Sequence, residues 1–385
     1  MKTVCHLITS LQVGGAQHAL MRLATHDKAY RHVVISMLDE DAFGPKLRAA
    51  NIDVHALNMP RGRPTLAGLR QLIGLLRDLR PHAVQTWLYH ADIMGSVAAL
   101  CAGCIPTFWG IRFSTLDGVV TNRVAAILVK LCAFSSRFLP KKVISCSDSG
   151  KSSHLDLGYG KNSIEVVYNG YDVAALEKLA EGASSSLDGL GLREGLGLSE
   201  GTFLLGVAAR WDPQKDHETL FAALAQLKEQ GTRNIHTLLF GMGTDTGNNV
   251  LMERHRHHGL ESQITPLGVR DDAPALMAAL DVHVLPSVSG EGFSNSVAES
   301  MAVGTPNIVT DAGDSAMIVG DTGWSVPRQD PTALAQAIAE AQTEWQAGAP
   351  FAARRQANRQ RIAENFSIER MVSGFNKFWD QYGRS

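Results

Sequence analysis

The sequence predicts an α/β protein built of two Rossmann-like, doubly wound domains, and three observations predict it. At 385 residues the chain is too long for one ordinary core, since domains run roughly 100–200 residues. Short β-branched runs alternate with longer helical patterns, the mark of parallel strands joined by crossover helices. The alternation breaks off once, in a Gly- and Ser-rich stretch, and then begins again. A composition of 45% hydrophobic and 19% charged residues excludes the disordered and fibrous classes.

In the first half, strands are expected at Thr3–Thr9, His32–Ser36, Asp53–Ala56, Ala83–Thr86, Thr107–Trp109, Val143–Ser145 and Ile164–Val167. Residues 181–200, with Gly189, Gly191, Gly195 and Gly197, read as an interdomain segment with room for a short helix. Strands resume at Phe203–Ala209, Thr237–Phe240, Ile264–Leu267, Val282–Leu285 and Asn307–Thr310. Helices are expected at Pro331–Gln346, Pro350–Asn365 and Ile368–Tyr382. The last carries Met371, Phe375, Phe378 and Trp379 at helical spacing, so it packs against a core. The expected division is therefore a first domain at 1–180, a linker at 181–200, a second domain at 201–365 and a terminal helix at 366–385.

The formal net charge of -2 is unevenly spread. Met1 to Ser185 holds 20 Lys+Arg against 14 Asp+Glu, and Ser186 to Ser385 holds 16 against 24. A cationic first half suits an anionic partner or is simply uneven solvated surface, and no nucleic acid is expected. The opening apolar run is too short and interrupted for a secretory leader, and no stretch reaches the ~18–20 apolar residues that span a bilayer. The expectation is a cytoplasmic protein, soluble or peripheral. Arg123, Lys130 and Arg137 are spaced by seven on an expected helix whose other face carries Val124, Ile127, Leu128 and Leu131, with Lys141 and Lys142 following. Such a helix can lie against an anionic membrane, but the expected arrangement keeps its apolar face in the core. Cys5, Cys101, Cys104, Cys132 and Cys146 are odd in number and sit in apolar context, so free buried thiols are expected. Cys101 and Cys104 form one Cys-x-x-Cys with no second pair at zinc spacing, and no metal is expected.

Doubly wound sheets bind ligands beyond the carboxyl ends of their strands, so the informative loops are those that follow strands. The segment from Ser289 to Pro306, after the strand ending at Leu285, places Glu291 in a Gly-containing loop and Glu299 in a helix beginning near Asn295. Backbone N–H groups of Phe293, Ser294, Asn295 and Ser296 at that helix start could hold a phosphate, and Gly292 allows close approach. Carboxylates at 291 and 299 can accept hydrogen bonds from sugar and ribose hydroxyls. Ser296 and Glu299 also fit a capping box that needs no ligand. After Phe203–Ala209, Arg210 and Lys215 lie five residues apart and can converge on one diphosphate; a solvated loop is the plainer account. Gly241 and Gly243 form a lone Gly-x-Gly that a tight turn explains. In the first half, Gly14 and Gly15 open a helix after the first strand, and His90 and Arg112 each follow a strand; structural roles fit these as well. The run from Arg254 to His258 reads as solvated surface.

Taken in order, Gly14-Gly-Ala-Gln17, Tyr168-Asn-Gly-Tyr-Asp172, Arg210 with Lys215, Gly241-Met-Gly243 and the Glu291/Glu299 pair resemble the retaining glycosyltransferases of the GT-B fold, family four, over nearly the whole chain. This group includes many bacterial polysaccharide and lipopolysaccharide transferases. The resemblance implies two domains facing a central cleft, with the C-terminal helix packed back on the first. It implies a nucleoside-diphosphate sugar as donor, uridine preferred over guanosine, and a glycan or lipid-linked acceptor. Arg210 and Lys215 would bind the diphosphate, Glu291 the transferred sugar and Glu299 the ribose. Backbone from Gly292 to Asn295 would hold sugar and phosphate, and Val269 and Arg270 would lie near the base. Relatives often carry a His where this chain has Arg112, so the donor-sugar contact there passes to Arg112 or His90. Retention of configuration, no cofactor and no metal follow from the resemblance alone. Rival readings are a sugar-nucleotide epimerase or hydrolase and a non-catalytic nucleotide-sugar-binding subunit; a dehydrogenase is disfavoured because no Gly-x-Gly-x-x-Gly follows the first strand.

Overall fold

The computed structural model describes residues 1–114, 123–161, 163–183, 191–232 and 234–384. It divides into two compact units, Met1–Gly170 with Ile368–Ser385, and Tyr171–Ser367. The first unit holds seven parallel strands, β1 (Thr3–Ile8), β2 (Arg31–Ser36), β3 (Asp53–Ala56), β4 (Ala83–Trp87), β5 (Thr107–Ile111), β6 (Lys142–Ser145) and β7 (Ile164–Val166), in the order β3-β2-β1-β4-β5-β6-β7. Its crossovers are α1 (Gly15–His26), α2 (Phe43–Ala49), α3 (Leu66–Leu79), α4 (Tyr89–Cys101), α5 (Arg123–Ser135) and α6 (Asp148–Asp156). The second unit holds six parallel strands, β8 (Phe203–Ala208), β9 (Ile235–Phe240), β10 (Ile264–Gly268), β11 (Val282–Leu285), β12 (Asn307–Thr310) and β13 (Trp324–Val326), in the order β10-β9-β8-β11-β12-β13. Its helices are α7 (Val173–Ala183), α8 (Leu192–Gly195), α9 (His217–Glu229), α10 (Asn249–His257), α11 (Ala273–Ala279), α12 (Asn295–Ala302), α13 (Ser315–Val319), α14 (Pro331–Ala347) and α15 (Ala349–Asn365). The last helix, α16 (Ile368–Tyr382), returns the chain to the first unit.

Because side chains alternate along a strand, β1 feeds two cores. Val4 and Ile8 join one cluster with Leu20, Leu23, Phe375 and Trp379, while Cys5 and Leu7 join another with Leu72, Leu76 and Met94. The apolar stripe of α16 is therefore part of the first core, as its spacing requires. Hydrogen bonds fix its seat: Asn376 Nδ2 donates to Asp27 Oδ1 at 3.1 Å, Tyr30 donates its hydroxyl to Asp380, and the His82 ring meets the Trp379 carbonyl at 2.8 Å. Truncating a buried Phe or Trp of this kind costs about 3–5 kcal/mol.

Five points differ from the expectations. The division falls at Gly170 and not at 180, because α7 packs on α11 and Ala180 enters the second core with Leu204, Leu238 and Leu280. Of the expected linker, residues 184–190 lie outside the described residues, while Leu192, Leu196 and Leu198 pack on that same core. The edge strand β13 has no counterpart in the sequence reading: it is three residues long, Trp-Ser-Val, with no apolar run to mark it. Cys5, Cys132 and Cys146 are buried and free, but Cys101 and Cys104 are exposed, since they sit at and beyond the last turn of α4. On α5 it is Val129, Cys132 and Ala133 that enter the core, whereas Val124, Ile127 and Leu131 face solvent. No described helix is long and apolar enough to cross a membrane.

Candidate functional site

In each sheet the chain order reverses once, between β1 and β4 in the first unit and between β8 and β11 in the second. Crossovers leave in opposite directions at such a point, which opens a crevice beyond the strands' carboxyl ends.

The second crevice is lined by charge. After β8, Asp212 accepts from the Gln214 N–H at 2.9 Å and starts a single tight turn at Pro213–Lys215. Asp216 follows in the left-handed region (φ 45°) and caps α9 by accepting from Thr219 N at 3.2 Å. Two caps back to back thus fix Lys215 in place. Its ammonium donates to Glu291 Oε1, across the reversal point, and Ser287 Oγ donates to the same oxygen at 2.7 Å. Glu291 is only 6% exposed. Burial pushes its carboxyl up, but the Lys215 charge and hydrogen bond, Ser287 and Arg210 together outweigh it and hold the group below its ordinary value. Glu291 is therefore a buried anion at neutral pH. Arg210 spends part of its guanidinium on Asp212 (Nε to Oδ2, 2.9 Å) and on Gln214 (3.4 Å), and its side chain stays about half exposed at 49%.

The loop carrying Glu291 is clamped on both flanks. Val288 N donates to the Gln214 carbonyl at 2.9 Å, and Asp314 N donates to the Gly292 carbonyl at 3.3 Å. Gly313 has φ +57°, and a Cβ there would lie 1.6 Å from the Glu291 carbonyl oxygen, so only glycine fits. Behind the loop, His283 donates Nδ1–H to Asn307 Oδ1 at 2.6 Å and accepts the Ala208 N–H on Nε2 at 3.2 Å, a tautomer assigned from these partners. Burial lowers the pKa of this ring to about 4, with the Lys215 charge adding to it and the Asn307 hydrogen bond opposing it, so the ring is neutral at pH 7.

Helix α12 begins at Asn295 with Ser294 as its cap, and the Ser294 side chain makes no capping bond. The capping box expected from Ser296 and Glu299 is thus absent, because the helix starts before Ser296. Gly292, Phe293 and Ser294 are buried, Asn295 Oδ1 accepts from the Tyr171 hydroxyl at 2.5 Å, and the Tyr171 ring stacks on Phe293. Glu299 lies one turn further along α12. Gly241 (φ +144°) follows β9, and a Cβ there would lie 2.4 Å from the Ala209 carbonyl oxygen, which lets the loops after β8 and β9 touch. Val269 is 72% exposed after β10, while Arg270 is paired through two hydrogen bonds with Asp272, at 2.8 and 2.7 Å.

The first crevice is lined differently. Gly14 caps α1 in extended conformation against the Gln17 side chain, and Gly15 begins that helix. His90 stands in the first turn of α4, half-buried, with burial lowering its pKa. Arg112, just past β5, lies over the Trp87 ring at 4.2 Å and donates to Asn169 Oδ1 at 2.9 Å. Below them runs a buried relay in which the Trp87 indole donates to His6 (3.2 Å), His6 meets His32 (2.8 Å) and His32 meets Asp27 (3.1 Å).

Within the second unit, Arg210, Lys215 and Glu291 are brought together, and Gly292 through Asn295 continue the same loop into α12. Ser287, Asp212, Gln214, Gly313 and Tyr171 escaped the sequence reading. The signal for Gly313 was present, as an Asp-Ala-Gly-Asp loop directly after β12; Ser287 and Tyr171 had none beyond lying near Glu291 and in the Tyr-Asn-Gly-Tyr-Asp segment.

Two family models match the chain, one described as "Glycosyltransferase Family 4" over residues 13–175 and one as "Glycosyl transferases group 1" over residues 202–344. EpsF of Bacillus subtilis (strain 168), a putative glycosyltransferase, is 27% identical over 81% of this chain and 79% of its own length. A phosphatidyl-myo-inositol mannosyltransferase of Mycobacterium leprae (strain TN) is 32% identical over 33% of this chain, and the match spans only 33% of that relative. The crystal structure of Anabaena HepE in complex with UDP-glucose superposes with a TM-score of 0.82 at 20% identity, covering 99% of this chain and 100% of HepE. That likeness shows the same two-Rossmann fold, GT-B.

Proposed function

We propose that this chain, which belongs to the family-four, group 1 glycosyltransferases, moves a sugar from a UDP-sugar to a glycan or lipid-linked acceptor in the cytoplasm, during cell-surface polysaccharide or glycolipid assembly. One observation carries the reading: Lys215 and Glu291 meet across the β8/β11 reversal, with Arg210 beside them. A carboxylate buried this deeply is costly unless paired, and here its partner is a lysine on a post-strand loop, where a diphosphate would arrive. Arg210 and Lys215 rest on internal anions, and an incoming pyrophosphate replaces those partners with stronger ones. Their charge then stabilises the departing nucleoside diphosphate without a metal ion. Glu291, released from Lys215 in part, accepts hydrogen bonds from the sugar hydroxyls, and the start of α12 from Gly292 to Asn295 receives phosphate and sugar through backbone N–H groups. Glu299 takes the ribose, with Gly241, Val269 and Arg270 at the base. The leaving phosphate takes the proton of the attacking hydroxyl on the same face, so the anomeric configuration is retained.

The uridine preference draws on HepE, whose structure holds UDP-glucose, and the lipid-linked acceptor on the mannosyltransferase relative. A panel of nucleoside diphosphates in thermal denaturation tests the donor, because a ligand selective for the folded state raises the midpoint. UDP is expected to raise it most. No shift with any nucleoside diphosphate would sink the reading. With acceptor present, an α-linked product from an α-donor, formed in chelator, is the expected result; sugar released or epimerised without acceptor would favour a hydrolase or epimerase.

A further inference from the structure

We propose, resting on the donor reading above, that Ser287 is a positioning residue for Glu291: its hydroxyl holds one carboxylate oxygen, Oε1, and so presents the other, Oε2, to the transferred sugar. Two donors reach Glu291, the Lys215 ammonium and the Ser287 hydroxyl, and both fall on Oε1; among the described residues none donates a hydrogen bond to Oε2. An ionised carboxyl only accepts, and it has two oxygens to fill. Here the protein fills one and leaves the other for a ligand hydroxyl.

Ser287 is built for a fixed hold. It is fully buried just past β11, and its single hydroxyl proton goes to Oε1 at 2.7 Å. Its main chain is pinned on both sides, since Thr310 donates its hydroxyl to the Ser287 carbonyl and the next amide, Val288 N–H, donates to the Gln214 carbonyl at 2.9 Å. Glu291 follows four residues later on the same loop, whereas Lys215 stands on the loop after β8.

The two donors therefore part company when an anion arrives. The charged and titratable groups facing Glu291 are Lys215 and Arg210, from the loop after β8, and the neutral ring of His283 on β11. Burial pushes the carboxyl up, and Lys215, Ser287 and Arg210 bring it down; of those three only Ser287 carries no charge for a pyrophosphate to draw away. A buried carboxylate that loses its cation to a neighbouring phosphate would take up a proton or swing aside. The serine keeps it ionised and aimed.

Steady-state kinetics of the full chain with a UDP-sugar test this, using Ser287→Ala and Ser287→Thr. The alanine variant is expected to lower kcat by about 10- to 100-fold, the size of a lost hydrogen bond to a charged group, while UDP binds as it does to the wild type. The acid limb of its kcat profile should move to higher pH, because the anion has lost a donor. Ser287→Thr keeps the hydroxyl and should recover most of kcat and the wild-type limb. A serine that merely supports the loop would change stability, or KM and kcat together, and leave the limb in place. Carboxyl-carbon NMR, with the Glu291 signal assigned by its loss in Glu291→Gln, reads the same shift without turnover. Wild-type kcat in Ser287→Ala, or a Glu291 signal that titrates where it does in the wild type, would overturn the role of Ser287 and leave the donor reading standing. A wild-type chain that neither binds UDP nor transfers sugar would overturn the donor reading, and the sugar-presenting role with it, even where the NMR shift is seen.

Discussion

The two crevices of this protein lie at equivalent reversals of strand order, yet they spend their polar groups in opposite ways. In the first unit the polar side chains are turned inward: Trp87, His6, His32 and Asp27 satisfy one another in a buried relay, and Arg112 lies over the Trp87 ring. In the second unit Lys215 and the buried Glu291 pair across the reversal, and Arg210 beside them stays half exposed. The lesson is that topology supplies the place and the loop residues supply the chemistry. A relay already satisfied has nothing left to exchange with a ligand, while a cation parked on a carboxylate has.

The comparison breaks most sharply on Glu291. Turnover of Glu291→Gln is expected to fall by about two to three orders of magnitude, with a smaller effect on nucleoside-diphosphate affinity, and His90→Ala should lose less. Equal losses from the two would erase the distinction between the crevices. Lys215→Ala should weaken nucleoside-diphosphate binding by about 2–4 kcal/mol in calorimetry; unchanged affinity would remove Lys215 from the donor site.

Acid should treat the two units alike, which sharpens the contrast by showing what they share. His283 in the second unit and His154 in the first are buried, each with its pKa lowered to about 4 from an ordinary 6.5. The unfolded chain binds the extra protons between those values, so stability is full above pH 6.5 and falls as pH drops toward 4, by up to about 3 kcal/mol per ring. His283→Gln and His154→Gln should each flatten the slope of denaturant midpoint against pH in that window; an unaltered slope in either would show that its ring is charged when folded. The smallest effect concerns Arg112→Lys. Losing the guanidinium contact with the Trp87 ring should cost about 1 kcal/mol of stability with nucleoside-diphosphate affinity intact, and a large affinity loss would give the first crevice a role at the donor.

Twelve of the strand positions were legible because buried parallel strands are written as short β-branched runs between turn residues. β13 was not, since an edge strand of three residues needs no such run. Arg210, Lys215 and Glu291 were legible as post-strand residues, but their pairing was not, because it joins side chains 76 positions apart. The face of α5 was misread for a related reason. Spacing shows that a helix has an apolar stripe, but not that small residues such as Cys132 and Ala133 fill the core while the larger ones stay in water.

The seating of α16 has a consequence for synthesis. The ribosome makes residues 171–367 before it makes the helix whose Phe375 and Trp379 fill the first core. The usual vectorial order, in which amino-terminal domains mature first, is therefore inverted: the later-made half can close on its own while the earlier one waits, its apolar face uncovered, for the tail to emerge. Premature termination near codon 368 should consequently spare the half being translated last and ruin the half translated first.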